Sequence, residues 1–413
     1  MYLLKIAFRN LFRRKWRTIT TAGILAIAII IFLWMDALLV GIENMSFDNI
    51  INLESGHIQI GRTDYFAEPY EDTLDKLFKP TEEHLATLDK SEVITGFTPI
   101  LDFPAIINNG ADEFPIQVRA IDPQSYNEVF INQDFIVAGE FVKSNDGGLV
   151  IGNQLAELLE FKVGDYFTIL FRDKQGWFNT IDGEIIGIMR SPHPEMNLNT
   201  VFIAQDNVYT PLGLESRTIS HIALRIEDRE IAQHYAAQLS EDIADKELTV
   251  RTWQESAKMV MAMREAGQLE NIVLLGLILL IGAVGIINVV ILSALERMEE
   301  IGMMKALGLL ERSIVKVFAL EAVGIGIIGG LLGCGLGAVV IAFFNKYGIS
   351  LATFGMSEEL HYGIPIVDRL YGAWNPPAFL LIFFFGVVVA LLASILPARN
   401  AARKDPVKTI YHR

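Results

Sequence analysis

Four apolar runs, at residues 18–40, 272–292, 314–344 and 376–396, leave this chain few ways to fold. Each is long enough to cross a hydrocarbon core of about 30 Å as a helix, which takes about 20 residues. In lipid a helix satisfies its own backbone hydrogen bonds, which an open strand or loop does not. Residues 42–266, between the first two runs, are polar and need water. The expected fold is a membrane protein with four transmembrane α-helices and a large α+β extracytoplasmic domain between the first and second. A mean hydropathy of +0.37 is too high for a soluble protein, and 20% charged residues are too many for a purely intramembrane one.

The formal charge is −15, yet both ends are basic: Lys5, Arg9, Arg13, Arg14, Lys15 and Arg17 at one, Arg399, Arg403, Lys404, Lys408 and Arg413 at the other. Basic residues flanking the outermost spans put both termini in the cytoplasm and make the number of crossings even. The resulting plan has an interfacial amphipathic helix over 1–17, spans over 18–41, 267–294, 312–344 and 376–397, the extracytoplasmic domain with its stalk over 42–266, a cytoplasmic segment over 295–311, an outer loop over 345–375 and a cytoplasmic tail over 398–413. The first run is not a cleaved signal: it is longer than an h-region, no small-x-small site follows it, and three more spans come after. The lone cysteine, Cys334, forms no disulfide within the chain.

Strands are expected at 57–61, 103–108, 114–121, 166–171, 184–189 and 219–226, and helices at 81–88, 123–130, 153–159 and 228–245. Asn108-Asn109-Gly110 supplies the positive φ that a hairpin turn needs. Thr252-x-x-Glu255 has the form of a capping box, so a helix should start at Trp253. With no breaker before the cytoplasm, it is read as one rod running to about Leu295.

Between the second and third runs, Leu295, Met298, Ile301 and Lys305 share a helical stripe edged by Glu296, Glu299 and Glu300. The sequence Glu296-Arg297, Glu300-Ile301-Gly302 and Lys305-Ala306-Leu307-Gly308, followed by a Gly-rich apolar run, resembles the signature of the FtsX-like permeases, the membrane subunits of certain ABC transporters. Leu396-Pro397-Ala398-Arg399-Asn400-Ala401-Ala402-Arg403 is similar to that family's exit from its last span, and Ala7-Phe8-Arg9-Asn10-Leu11 to its N-terminal approach. Within the polar block, Ile116-Gln117-Val118-Arg119-Ala120-Ile121-Asp122-Pro123, Val150-Ile151-Gly152 and Val163-Gly164-Asp165 look like the lipoprotein-releasing permeases LolC and LolE. The resemblance implies that Glu296, Glu299, Glu300, Gly302, Lys305 and Gly308 form a coupling helix docking into a separate ATPase. It further implies two copies of that ATPase, which bind ATP and Mg, a second permease as homodimer or heterodimer, a lipidated cargo, and a bacterial inner-membrane location. Whether a periplasmic carrier docks on the domain stays open. So do a MacB-type efflux permease and an FtsX-like transducer that activates a cell-wall hydrolase.

No Gly-x-x-x-x-Gly-Lys-Ser/Thr loop occurs, so ATP hydrolysis is assigned to a partner and the chain is read as a non-enzyme with no cofactor or metal of its own. No His-Glu-x-x-His, Cys/His cluster or Gly-x-Ser-x-Gly elbow occurs either. Nucleic acid is not an expected partner. His57 and His193 read as surface or hydrogen-bonded residues. Gly326 and Gly330, with Gly329, Gly333 and Gly337 one face over, repeat at four-residue spacing and suit close helix packing. Trp34, Met35, Leu38 and Leu39, with Met261 and Met263, make an apolar surface at the outer leaflet; methionine suits varied acyl chains and also fills ordinary cores. Asp36 and Asn288 are intramembrane polar groups, Asp36 being either functional or simply solvated at the outer interface.

Overall fold

The computed structural model describes residues 7, 9, 11, 13, 15–67, 73–108, 113–144, 147–243, 245–295, 303–305, 308–350 and 369–403. Its described residues separate into two compact units, one formed by those up to Asn44, from Arg264 to Ser350 and from Arg369 onward, the other by those from Met45 to Met263. The second unit interrupts the first at the position expected of the polar block.

In chain order the elements are helix α1 (Lys15–Ile50), a π-turn (Ile51–Ser55), β1 (Ile58–Arg62), α2 (Thr63–Ala67), α3 (Glu82–Asp89), β2 (Ile94–Asn108), β3 (Glu113–Ile121), α4 (Pro123–Val129), β4 (Ile136–Gly139), β5 (Leu149–Gly152), α5 (Asn153–Leu158), β6 (Tyr166–Arg172), β7 (Phe178–Met189), α6 (Pro194–Asn199), β8 (Thr200–Ala204), β9 (His221–Ile226), α7 (Ala232–Ile243), β10 (Leu248–Thr252), α8 (Trp253–Ser256), α9 (Lys258–Leu295), α10 (Glu311–Tyr347), β11 (Ile349–Ser350), β12 (Arg369–Leu370) and α11 (Pro376–Arg403).

Ten strands form one mixed sheet in the polar unit, ordered β10-β1-β9-β2-β3-β8-β5-β7-β4, with β6 bridging β2 and β7. Pairing is antiparallel except for β3 with β8 and β5 with β7. The β2–β3 hairpin is in register from Ile100↔Ile121 to Asn108↔Glu113; its Asn109-Gly110 turn lies outside the described residues. Side chains alternate along β3, with Val118 and Ala120 in one apolar cluster and Ile121 in another. A third cluster sits under β1 and β9, where Leu239 and Ala236 of α7 and Leu88 of α3 cover Ile58, Ile60 and Leu224.

In the membrane unit α1, α10 and α11 are long and apolar enough to span a bilayer. α1 turns Ala22, Leu25, Ala26, Ile29, Leu33 and Ala37 inward, at helical spacing, and leaves Ile24, Ile27 and Ile31 outside. α9 is a 38-residue helix whose described apolar stretch is Asn271–Gly285.

Two expectations are corrected. The rod from Trp253 is interrupted at Ala257 (φ −89°, ψ 26°), so α8 is a single capped turn and the long helix begins at Lys258. The cause is competition for that turn: Trp253 is buried in the third cluster and the Ser256 hydroxyl donates to Gln59 Oε1 at 3.0 Å, which fixes α8 to the sheet. The last span does not stop at Pro397 but continues as helix to Arg403. Proline removes one backbone donor from a helix interior. Ala398, fully buried against Ile314 and Phe318, holds the following turn in place.

Candidate functional site

The polar unit is joined to long helices at both of its ends, and the two joins meet. The first is the π-turn. At Ile51–Ser55 the helix widens by one residue, and Gly56 N–H closes it on Ile51 O at 3.0 Å. Gly56 has φ 68°, and a Cβ there would lie 2.9 Å from Leu224 O, so the stop requires glycine. The widened turn sends Ile51 into the cluster under β1 and β9 and Leu53, fully buried, into the cluster under β3 and β8. One short turn thus pins two parts of the core.

Its polar groups are gripped from four directions. Asn52 O accepts from Ile131 N at 3.1 Å, and Asn52 Oδ1 accepts from Arg225 Nη2 of β9 at 3.1 Å. Glu54 O accepts from Arg119 Nη1 of β3 at 3.2 Å, and the Glu54 carboxylate lies 3.1 Å from His193 Nε2 at the head of α6.

The second join is β10–α8. β1 and β10 are antiparallel neighbours, with Ile58 opposite Thr252, and Trp253 N donates to His57 O at 3.0 Å. Gln59 Oε1 accepts from Arg251 Nε at 2.8 Å as well as from Ser256. The Thr252–Glu255 capping box forms as its spacing requires. The strand that leaves the π-turn and the strand that leads to α9 are therefore one ladder.

Beside this ladder lies a largely buried polar cluster. Arg119 donates to Asp102 through Nε at 3.0 Å and Nη2 at 3.4 Å, both side chains being nearly buried. Burial works against the Arg119 charge, and the Asp102 carboxylate together with Tyr126 and Glu54 outweighs it and raises its pKa. His221 stacks on Tyr65 and has no hydrogen-bond partner on either ring nitrogen. Burial, with Arg119 and Arg251 nearby, lowers it to about 3 despite Asp102. His57 is likewise pushed to about 4 by burial and by Arg225 and Arg229. Burial pushes the Glu54 carboxyl up, but the hydrogen bond and charge of His193, then Arg119 and Arg251, hold it below its ordinary value. For His193 burial works downward, and Glu54, with Glu195, overrides it and raises the pKa.

Of the residues singled out from sequence, Glu296, Glu299, Glu300 and Gly302 lie outside the described residues. Lys305 pairs with Glu311 at 3.2 Å. Gly308 is a helix stop: at φ 89° its N–H bonds to Lys305 O, and Leu309 N–H to Met304 O, closing the 5→2 and 6→1 bonds of a Schellman motif. Trp34, Met35, Leu38 and Leu39 are half-buried on α1, with Trp34 6.4 Å from Phe344. Met261 packs against the third cluster of the polar unit, and the side chain of Met263 is outside the description. Gly329, Gly333 and Gly337 face Ala22, Leu25, Ile29 and Leu33 of α1, while Gly326 and Gly330 face Val387 and Phe383 of α11. Asp36 is 8% exposed rather than solvated, and accepts from Asn375 Nδ2 at 3.0 and 3.3 Å. Asn288 is exposed on α9.

Sequence reading missed Glu54, Asp102, Arg119 and Arg251, whose partners are far apart in the chain. Only His193, directly before Pro194 at a helix start, carried a local signal.

Residues 18–242, more than half of the chain, match the MacB-like periplasmic core domain, and residues 272–406 match the FtsX-like permease C-terminal region. The chain belongs to the FtsX-like and MacB-like ABC-transporter permeases. An uncharacterized ABC transporter permease of Methanocaldococcus jannaschii is 25% identical over 99% of this chain and 97% of its own length. The lipoprotein-releasing system transmembrane protein LolE of Haemophilus influenzae is 22% identical over 80% of this chain and 82% of its own. The macrolide export ATP-binding/permease protein MacB of Rhodospirillum rubrum is 31% identical over 62% of this chain, which covers 37% of that longer protein. In such a permease the unit inserted between the first and second long helices is the periplasmic-type domain.

Proposed function

We propose that this permease transmits force: a separate ATPase closes on ATP, and the movement reaches the extracytoplasmic domain through the joint at its base. The observation that carries the reading is the meeting of both helix connections on one β1–β10 ladder, with the π-turn anchored in two core clusters. A displacement of either helix then acts on the strands directly, without a flexible linker to absorb it. In this reading α9 is a fourth span, both termini and residues 295–311 face the cytoplasm, and Glu296, Glu299, Glu300 and Gly302 with Lys305 contact two ATPase copies that bind ATP and Mg. Gly308 ends that contact helix.

The cargo proposed is a lipoprotein or other lipidated molecule taken from the outer leaflet of the inner membrane, with a second permease completing the transporter. The similarity to LolE over four-fifths of the chain supports it. Trp34, Met35, Leu38 and Leu39 are the proposed acyl contacts on α1, with Met261 and Met263 as further candidates. Removing a chain from lipid costs about 0.8 kcal/mol per CH₂, which only apolar protein surface offsets. A MacB-type efflux role is the second reading, favoured by the match to the MacB-like periplasmic core domain.

Native co-purification tests both readings, with photo-crosslinkers at Met35 and Leu39 and, as a control, at Phe384. Recovery of an ATPase with acylated protein crosslinked at Met35 and Leu39 supports lipoprotein release. Equal capture at Phe384, or capture of a non-lipidated variant, moves the assignment to efflux. Retention of the ATPase by Glu300→Lys would remove the acidic edge from the docking surface.

A further inference from the structure

We infer that His193 is a protonation switch that trades the cap of α6 against a charged bond to the π-turn. Its ring faces two ways. Nδ1 accepts the N–H of Met196 at 3.4 Å, which caps α6, while Nε2 lies 3.1 Å from Glu54 Oε2. An imidazole has two ring nitrogens, and one that accepts carries no proton. The neutral ring with its proton on Nε2 therefore caps α6 and donates to Glu54 together. A second proton must go to Nδ1, where it faces the N–H of Met196. The cap is then lost, and the bond to Glu54 becomes an ion pair.

The charged groups around the ring are Glu54 on the π-turn, Glu195 on α6 itself and Arg119 on β3, with Arg251 of β10 acting on Glu54. Arg119 is already engaged by Asp102 and by Glu54 O, which leaves the Glu54 carboxylate as the partner His193 meets. α6 is a relay with no slack. Met196 is buried in the core, Asn197 closes three bonds with Ser191, a Cβ on Gly152 would meet the Asn197 backbone at 2.2 Å, and β8 begins at the next residue after the helix. A proton at His193 thus changes how firmly the turn after α1 is held by the helix that feeds β8. The charged state is the tight one for the π-turn and the loose one for α6.

The sign follows from both partners. Glu54 is held below 4.5, so its charge is in place above that pH and is lost on further acidification. His193 is held above 6.5, so the ion pair is complete between about 4.5 and 6.5 and gives way to the neutral, capped form as pH rises through the raised value. The switch rests on this geometry alone, whereas its effect on transport rests on the transmission reading.

The test is hydrogen exchange by mass spectrometry on the full-length permease in detergent, from pH 5.5 to 9 and corrected for intrinsic rates. NMR titration of the His193 ring, assigned by its loss in His193→Asn, accompanies it. Wild type should gain about fivefold protection over 194–199, the worth of one cap, as pH rises through the His193 transition. Glu54→Gln should move that transition to lower pH, and His193→Asn, which caps but takes no charge, should hold the high-pH protection throughout. A transition unmoved in Glu54→Gln, or a pH profile in His193→Asn equal to wild type, overturns the switch. Neither outcome bears on whether the permease moves with ATP.

Discussion

Phe47, near the end of α1, and Trp253, in the capped turn before α9, hold their rings 4.9 Å apart at an angle of 53°. Both are almost fully buried, at 6% and 5% exposure. The two connections of the domain to its helices therefore touch through side chains as well as through the β1–β10 ladder. Phe47→Ala is expected to cost about 3–5 kcal/mol, the range for truncating a buried aromatic. Differential scanning fluorimetry of the purified permease should show the loss as a lower first transition. An unchanged transition would mean that the two connections are independent.

The buried histidines set the acid limit of the domain. His221 is depressed to about 3 and His57 to about 4, against 6.5 in the unfolded chain. Below pH 6.5 the unfolded state binds protons that the folded state refuses, so stability falls with pH, by about 1.4 kcal/mol per pH unit for each histidine until its folded value is reached. His221 has no hydrogen bond to lose, so His221→Phe should match wild type at pH 8 and exceed it increasingly below pH 6. Parallel acid-unfolding curves for the two proteins would contradict the assignment of His221 as a buried neutral ring.

Much of the fold was legible because it is periodic or local. The apolar runs of α1, α10 and α11 declare themselves by length, β2 and β3 by alternation, and α8 by its capping box. The joint was not legible, because Arg119 and Asp102 are 17 residues apart, and Arg251 and Gln59 are 192 apart. No spacing rule connects such pairs before the sheet brings them together. The break at Ala257 was hidden for a similar reason: nothing in the local sequence forbids a helix there, and the bond from Ser256 to Gln59 exists only in the folded domain. Among the described residues of the segment that resembles the family's coupling helix, Gly308 has a physical role, as a helix stop that its spacing did not announce.

Helix packing in the membrane unit depends on missing side chains. A Cβ on Gly329 would stand 2.9 Å from the Ala22 carbonyl oxygen and 2.8 Å from Leu25 Cδ2, whereas one on Gly335 would meet nothing within 4 Å. Gly329→Val should destabilise by about 1–3 kcal/mol through overpacking, and Gly335→Ala should be tolerated. Fluorescence-detected size exclusion after a heating series separates the two. Equal survival would mean that α1 and α10 do not pack on this face.

Asp36 and Asn375 form a second membrane-unit test. Asn375→Ala removes the amide that donates to a nearly buried carboxylate and should cost about 1–3 kcal/mol. Asp36→Ala in the same chain should recover part of that loss, because no acceptor is then left unpaired. Strictly additive losses in the heating series would show that the pair is not coupled.

The central claim is that ATP-driven movement passes through the π-turn and the β1–β10 ladder. The most direct measurement is hydrogen exchange at residues 45–59 and 248–257 in the permease–ATPase complex in nanodiscs, with ATP and vanadate against no nucleotide. The account predicts that protection changes in both segments together, and that three glycines inserted after Ser256 abolish the change while ATP hydrolysis continues. Active hydrolysis with protection unaltered in both segments of the native complex would contradict it.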